Sequence, residues 1–217
     1  MGATRIIAVR HGETAWNVDT RIQGQLDIDL NDKGRWQAQR VARALADEPI
    51  HRVYSSDLSR AHATARAIAQ HASEPTAREV QLHTGLRERG FGTFEGQTWA
   101  DIETNWPEES RRWRQRDPHF APPGGETLVQ LRERIACAVA TLAAQHLGQQ
   151  IVLVAHGGVM DMLYRLATSQ DIGAPRTWEL GNAAINRLLW TPSLWWVGPT
   201  PGTWKTKRWT NPAPRGP

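Results

Sequence analysis

A three-layer α/β/α domain with a mostly parallel sheet is the fold class that the sequence predicts, and three observations predict it. Short, β-branched apolar runs alternate with longer segments of helical periodicity, which is the pattern of βα units. Two of those runs, Ile6-Ile7-Ala8-Val9 and Ile151-Val152-Leu153-Val154, are continuously apolar, as strands covered on both faces must be. Polar and charged residues gather directly after the strand-like runs, where open α/β sheets place their ligands.

Each element follows from local composition. Arg5 to Arg10 reads as the first, buried strand, and a polar, glycine-containing loop runs from Thr20 to Leu30. Asn31 or Asp32 then caps a helix whose Trp36, Val41, Ala44 and Leu45 fall at helical spacing. Val53-Tyr54-Ser55 is a short strand, Leu58 to His71 an alanine-rich helix, and Val80 to His83 a third strand. From Phe91 to Gly125 the periodicity weakens. Trp99, Trp106 and Trp113 recur there every seven residues, fitting one helical face or an aromatic lid that packs rather than touches substrate. Pro122-Pro123-Gly124-Gly125 closes that stretch, and Glu126 opens a helix to about His146. Ile151 to Ala155 is another buried strand, Gly157 to about Ala167 a helix, and Ala184 to Trp190 the last strand. No internal repeat is visible.

Composition narrows the class further. At 217 residues, with 40% hydrophobic and 22% charged residues, one soluble domain with a real core is expected. The one cysteine, Cys137, lies in a helical-looking stretch; it excludes a disulfide framework, fits the cytoplasm, and reads as a small buried hydrophobe. No run is long enough to span a membrane, and no signal peptide precedes the first strand. The net charge of +4 hints at nucleic acid, but Lys205, Lys207, Arg208 and Arg215 account for it, with no acid after Leu188. Neither a nucleic-acid nor a membrane partner is expected, and oligomeric state leaves no mark in the sequence.

Four strand ends carry groups suited to one chemistry. The first ends in Arg10-His11-Gly12, with Asn17 shortly after. The second leads into Ser55-Ser56-Asp57-Leu58-Ser59-Arg60, the third is followed by Glu88, and the fourth ends in His156-Gly157-Gly158. In a parallel sheet these tips converge on one edge, so two imidazoles, two guanidiniums and a carboxyl group share a pocket. A guanidinium fork suits the oxygens of a phosphate, and an imidazole can attack its phosphorus. His51, His62, His71, His83, His119 and His146 lack such neighbours and read as structural or exposed.

The segments Arg10 to Asn17, Arg21 to Gln25, Ser55 to Arg60, Leu86-Arg87-Glu88, Pro123 to Glu126 and Ala155-His156-Gly157 together resemble the histidine phosphatase superfamily, in order, over roughly Thr4 to Trp190. The resemblance implies a phosphoglycerate mutase-like fold. It also implies that His11 becomes a phosphohistidine, that Arg10, Arg60, Asn17 and a protonated His156 hold the phosphate, and that a protonated Glu88 serves the leaving alcohol. Gln23 matches a substrate-contacting position of the phosphatase branch. No metal or other cofactor is implied, since arginines and imidazolium supply the positive cradle, and the expected partner is a small phosphorylated metabolite.

Arg89-Gly90-Phe91-Gly92-Thr93-Phe94-Glu95-Gly96 resembles the broad phosphatase branch rather than the mutase pattern of Glu-Arg-His-Tyr-Gly with a longer basic insertion. A phosphomonoesterase is therefore expected first. A 2,3-bisphosphoglycerate-dependent phosphoglycerate mutase comes second, with Arg111, Arg112, Arg114 and Arg116 as a partial substitute for the basic insertion. A catalytically inactive binding relative is a third reading, set against the intact set Arg10, His11, Arg60, Glu88 and His156.

The domain is expected to cover residues 1–190, with 191–217 an atypical tail. Trp195, Trp196, Trp204 and Trp209 stand there among Pro, Gly, Thr and Lys without periodicity, so the tail is expected to be disordered or loosely draped. Back-translation of Ser193 to Pro212 in a shifted frame yields a continuous acidic peptide resembling the family's last strand and Asp-x-x-His-Leu ending. A frameshift near Thr191 to Leu194 is the expectation that follows.

Overall fold

The structure, a computed structural model, describes residues 2–192 and the backbone of 203–206. In chain order its strands are β1 (Thr4–Arg10), β2 (Arg52–Ser55), β3 (Val80–Leu82), β4 (Gln150–Ala155), β5 (Ile185–Thr191) and β6 (Thr203–Thr206). The helices are α1 (Ala15–Val18), α2 (Asp32–Ala44), α3 (Ser59–His71), α4 (Trp99–Asn105), α5 (Pro107–Arg114), α6 (Leu128–Ala144) and α7 (Gly157–Thr168).

The strands form one sheet in the order β3-β2-β4-β1-β5-β6. β1 to β4 are mutually parallel, whereas β5 runs antiparallel to β1, and β6 antiparallel to β5. Alternation along the two central strands builds a core on each face. Ile6, Ala8, Ile151 and Leu153 pack with Leu131, Ile135, Met160 and Leu163 of α6 and α7. Ile7, Val9, Val152 and Val154 pack with Val41, Ala65 and Ile68 of α2 and α3. Every residue of β4 is buried, as its continuous apolar run requires. The expected three-layer α/β/α architecture is what forms.

Several details differ from the expectations, each for a packing reason. The buried face of α2 is Gly34, Ala38, Val41 and Ala42, followed by Leu45, not Trp36 and Ala44. Its small residues meet the alanine-rich α3, leaving no room for an indole; Trp36 is 56% exposed, with the Arg40 guanidinium over its ring. Asn31, not Asp32, is the cap, accepting from the Gly34 N–H at 2.7 Å. The long helix starts at Leu128, two residues later than expected, because Thr127 and Gln130 form a reciprocal capping box. Cys137 lies on the outward face of α6 and is exposed rather than buried. The three tryptophans do not share one helical face: Trp106 separates α4 from α5, which Pro107 opens at its first position. Trp106 and Trp113 pack instead on the small cluster of Phe94, Ile102 and Phe120.

Beyond β5, the backbone of Thr203–Thr206 pairs with Leu188–Thr191, so these four residues of the expected loose tail lie in the sheet, where their backbone extends the open edge of β5. The expectations about the rest of the tail, including the shifted frame, concern residues outside those described.

Gly34 ties the helical layer to the end of β1. A Cβ there would come within 1.9 Å of the Glu13 carbonyl oxygen, and one on Gly12 within 2.4 Å of the Gly34 carbonyl oxygen. Helix propensity alone favours alanine over glycine by about 1 kcal/mol. We expect Gly34→Ala nevertheless to destabilise the protein, by about 1–3 kcal/mol from overpacking, measured as a lowered denaturant midpoint; a raised midpoint contradicts the close approach.

Candidate active site

The parallel register of β1 and β4 sets Arg10 opposite Ala155, so His11 and His156 leave the two strand ends side by side. Their ring centroids are 5.2 Å apart, and the residues are 3% and 0% exposed. His11 Nδ1 lies 2.6 Å from the Gly12 carbonyl oxygen. A carbonyl only accepts, so Nδ1 carries the proton and Nε2 keeps its lone pair. Both ring nitrogens of His156 are buried without a protein partner.

Two guanidiniums flank the imidazoles. Arg10 donates to the Leu180 carbonyl. Arg60, at the start of α3, donates to the carbonyls of Gly24 and Leu26, each at 2.8 Å. Neither forms a carboxylate ion pair among the described residues, and each leaves a buried Nε unpartnered. Thr64, one turn along α3, donates its hydroxyl to the Arg60 carbonyl at 2.9 Å and accepts the Gly12 N–H at 3.1 Å. It thereby ties the first turn of α3, which carries Arg60, to the turn that follows Arg10.

Glu88 reaches the first turn of α7. Its Oε1 accepts N–H bonds from Arg89 at 2.8 Å and Gly158 at 3.0 Å, and Oε2 lies 3.1 Å from the same Gly158 nitrogen. A Cβ at Gly158 would fall 2.4 Å from Glu88 Oε1, so the carboxyl group keeps this position only against glycine. The neighbouring arginines are engaged elsewhere: Arg87 bonds Asp57 through its Nε at 2.8 Å, and Arg89 donates to the carbonyls of Glu126 and Phe120. Arg134 of α6, paired with Glu126, donates to the carbonyls of Gly85 and Arg87 at 2.9 Å and anchors the segment.

Burial is the first cause holding both imidazoles well below the usual value of 6.5. Arg10 and then Arg60 add to it at His11, whereas at His156 Arg60 comes next, followed by His11 and Arg10. Burial and then these cations favour the neutral form of His156 in this fold, whereas the protonated form expected of it belongs to a site that holds a phosphate. Burial likewise lowers the Arg10 and Arg60 values, and the Glu88 carboxylate opposes that shift.

A cavity of about 600 Å³ lies beside these groups, with Arg10, Asn17, Gly157 and Gly158 in its wall, whereas the buried His11, Arg60 and His156, and Glu88, lie behind its lining. Asn17 closes the capping box of α1, where its Oδ1 accepts from the Thr14 N–H and hydroxyl. Gln23 is buried with an unpartnered Oε1 but does not line the cavity. Trp99 and Trp113 do line it; Trp113 lies between Phe91 and Phe94 at 4.9 and 5.2 Å, so packing and cavity wall are one surface. Of the four arginines expected to replace a basic insertion, Arg111, Arg112 and Arg114 pair with Glu108, Asp117 and Glu103 away from the cavity. Arg116 alone borders it, paired with Asp161.

Residues that motif reasoning missed complete the surroundings. Arg21, Arg89 and Arg176 line the cavity without a carboxylate ion pair among the described residues. Burial pushes Arg89 down to about 10. Asn182 bonds to Asn17 and to the His11 and Gly12 carbonyls. An Asn in a loop carries no distinguishing signal in one sequence. Among the described residues no group of three or more His, Cys, Asp or Glu is placed to hold a metal ion, and no helix is long and apolar enough to cross a membrane.

Comparison with known proteins places the fold and the family. The family model for the histidine phosphatase superfamily (branch 1) matches residues 6–198. The chain is 40% identical to phosphoglycerate mutase-like protein 4 of Arabidopsis thaliana, covering 88% of this chain and 84% of that protein. It is 39% identical to the metal-independent phosphoserine phosphatase of Arabidopsis thaliana, covering 88% and 79%. The solved mycobacterial glucosyl-3-phosphoglycerate phosphatase complexed with VO3 superposes with a TM-score of 0.80 at 32% identity, covering 94% of this chain and 98% of that one.

Neutral burial of two histidines has a definite sign in stability. With folded values well below 6.5, the unfolded chain binds more protons once the pH falls below about 6.5, so stability declines with decreasing pH. We expect the thermal midpoint of the ligand-free protein to fall between about pH 7 and pH 5. His156→Gln, lacking one of the two groups, should make that slope shallower; an undiminished slope would count against the neutral burial of His156.

Proposed function

This chain belongs to branch 1 of the histidine phosphatase superfamily, and from that premise we propose that it is a phosphomonoesterase acting on a small phosphorylated metabolite. One observation carries the reading. His11 keeps Nε2 unprotonated by committing Nδ1 to a carbonyl, inside a shell of buried donors that lack partners. A tetrahedral dianion satisfies those donors: Arg10 and Arg60 through their guanidinium N–H groups, His156 through a ring N–H, and Asn17 through its amide.

In the first step the Nε2 lone pair forms a bond to phosphorus as the P–O bond to the alcohol breaks, and Glu88, which enters this step in its protonated form, gives that proton to the departing oxygen. In the second, water attacks phosphorus, the N–P bond breaks and the pair returns to Nε2, while Glu88 takes the proton from water. The bound dianion also offsets the cations around His156, favouring its protonation once substrate is in place. Gln23 is assigned a supporting place behind the phosphate, on its burial beside the Gly24 to Leu26 loop.

Hydrolysis is preferred over transfer to a second hydroxyl because Arg111, Arg112 and Arg114 are engaged in ion pairs outside the cavity. The mutase reading draws on Arg21, Arg89 and Arg176, which leave positive charge in the cavity for a second anionic group. Relatives named for phosphoserine and glucosyl-3-phosphoglycerate suggest the size of substrate such a cavity takes. A cytoplasmic location fits the free thiol of Cys137.

With 3-phosphoglycerate, we expect release of inorganic phosphate without formation of 2-phosphoglycerate; isomerisation dependent on 2,3-bisphosphoglycerate would contradict hydrolysis. Labelled substrate should leave an acid-labile, base-stable label on the protein that is absent from His11→Ala. Loss of the general acid in Glu88→Gln should slow turnover by about 10²–10⁴. Gly158→Ala, which displaces the Glu88 carboxyl group, should slow it in the same direction with phosphate affinity retained.

A further inference from the structure

We propose that Asn182 is a positioning residue: its side-chain amide fixes the orientation in which His11 and Asn17 meet the phosphoryl group. The inference rests on the reading of His11 as nucleophile. Asn182 lies on the connection between α7 and β5. Its Nδ2 is 3.1 Å from Asn17 Oδ1 and 3.3 Å from the carbonyl oxygens of both His11 and Gly12. All three are acceptors, so only the N–H end of the amide can face them.

Each contact has a consequence at the reacting atoms. Asn17 Oδ1 already accepts from the Thr14 N–H at 3.1 Å and the Thr14 hydroxyl at 3.2 Å. Asn182 adds a third donor and commits that oxygen away from the cavity. Asn17 Nδ2, with no protein partner among the described residues, is left as the end available to phosphate. The Gly12 carbonyl that Asn182 holds is also the acceptor of His11 Nδ1–H, the bond that fixes the nucleophile's tautomer. One amide thus touches the nucleophile's backbone, its tautomer-setting acceptor and a phosphate donor.

The backbone around Asn182 is shaped for this contact. Ala183 adopts φ of 58°, a left-handed conformation disfavoured for a residue with a Cβ. In that conformation the Ala183 N–H also reaches the His11 carbonyl, at 3.1 Å. On either side, the Leu180 carbonyl accepts from the Arg10 guanidinium, and the Ala184 carbonyl accepts the Arg10 N–H at 3.1 Å. Leu180 and Arg176 of the same connection line the cavity. The segment thus joins the cavity wall to the Arg10-His11-Gly12 turn.

The test is a double-mutant cycle of Asn182→Ala and Asn17→Ala in the full chain, read with p-nitrophenyl phosphate. Misplaced reacting groups cost up to about 10²-fold. Asn182→Ala should therefore lower kcat by about 10- to 100-fold with KM little changed, and the loss should shrink in the Asn17→Ala background. The near-isosteric Asn182→Asp, which sets a carboxylate against three acceptors, should lower kcat at least as far. Nitrogen-15 spectra of the resting protein provide a readout independent of turnover: His11 should show a protonated Nδ1 in the wild type and a mixture of tautomers in Asn182→Asp. Additive losses, or an Asn182→Asp variant with wild-type kcat and an unchanged His11 spectrum, would overturn the proposal. A wild type that hydrolyses no phosphomonoester would instead defeat the functional reading, while the spectra still decide what Asn182 does to His11.

Discussion

Positive charge held out of water without a carboxylate to pair with it is the constraint on which the rest of this site depends. Arg60 is almost fully buried and Arg10 partly so, and carbonyl oxygens of the 24–26 loop and of Leu180 accept their N–H groups. Carbonyls satisfy several of the N–H groups, and the Glu88 carboxylate offsets the charge only in part, from beyond ion-pair distance. Burial, together with the field that results, favours the neutral form of both neighbouring imidazoles, and the Gly12 carbonyl leaves His11 Nε2 with its lone pair. In the proposed reaction a dianionic substrate would supply counter-charge and shift the balance at His156 toward protonation.

The scaffold maintains this costly arrangement by bringing backbone against backbone. Gly12 and Gly34 let the turn after β1 lie directly on the first turn of α2, and Gly158 lets the Glu88 carboxyl group sit on the first turn of α7. Glu95 accepts from the Gln25 and Phe91 N–H groups and so holds the loop whose carbonyls receive Arg60. The Arg134–Glu126 pair does the same for the segment bearing Glu88. Few of these groups are among those proposed to hold the phosphate. They limit how far the groups that do can move, and preorganisation of that kind is where electrostatic catalysis draws its strength.

Much of the fold and the floor of the site were legible in the sequence because short-range rules decide them. Uninterrupted apolar runs mark β1 and β4, and parallel pairing of those runs brings His11 and His156 together without any further information. Arg10, Arg60 and Glu88 were legible for the same reason: Arg10 ends a strand, and the other two follow one closely. What could not be read depends on contacts between distant segments. Trp36 has the right helical spacing to be buried, but the small residues of α3 draw α2 too close for it. Cys137 looks like core by composition and lies one position off the buried face. Arg111, Arg112 and Arg114 differ in kind: their partners Glu108, Asp117 and Glu103 are local, and a count of basic residues overlooks them. Asn182 and the neutral state of His156 arise from groups far apart along the chain, and no local motif encodes either.

Covalent capture of the phosphoryl group on His11, followed by transfer to water, is the central claim, and the stereochemistry at phosphorus tests it most directly. Two in-line displacements each invert the configuration, so hydrolysis of a phosphomonoester made chiral with oxygen isotopes should give inorganic phosphate with net retention. Net inversion would mean that water attacks the substrate in a single step, and would contradict His11 as the nucleophile.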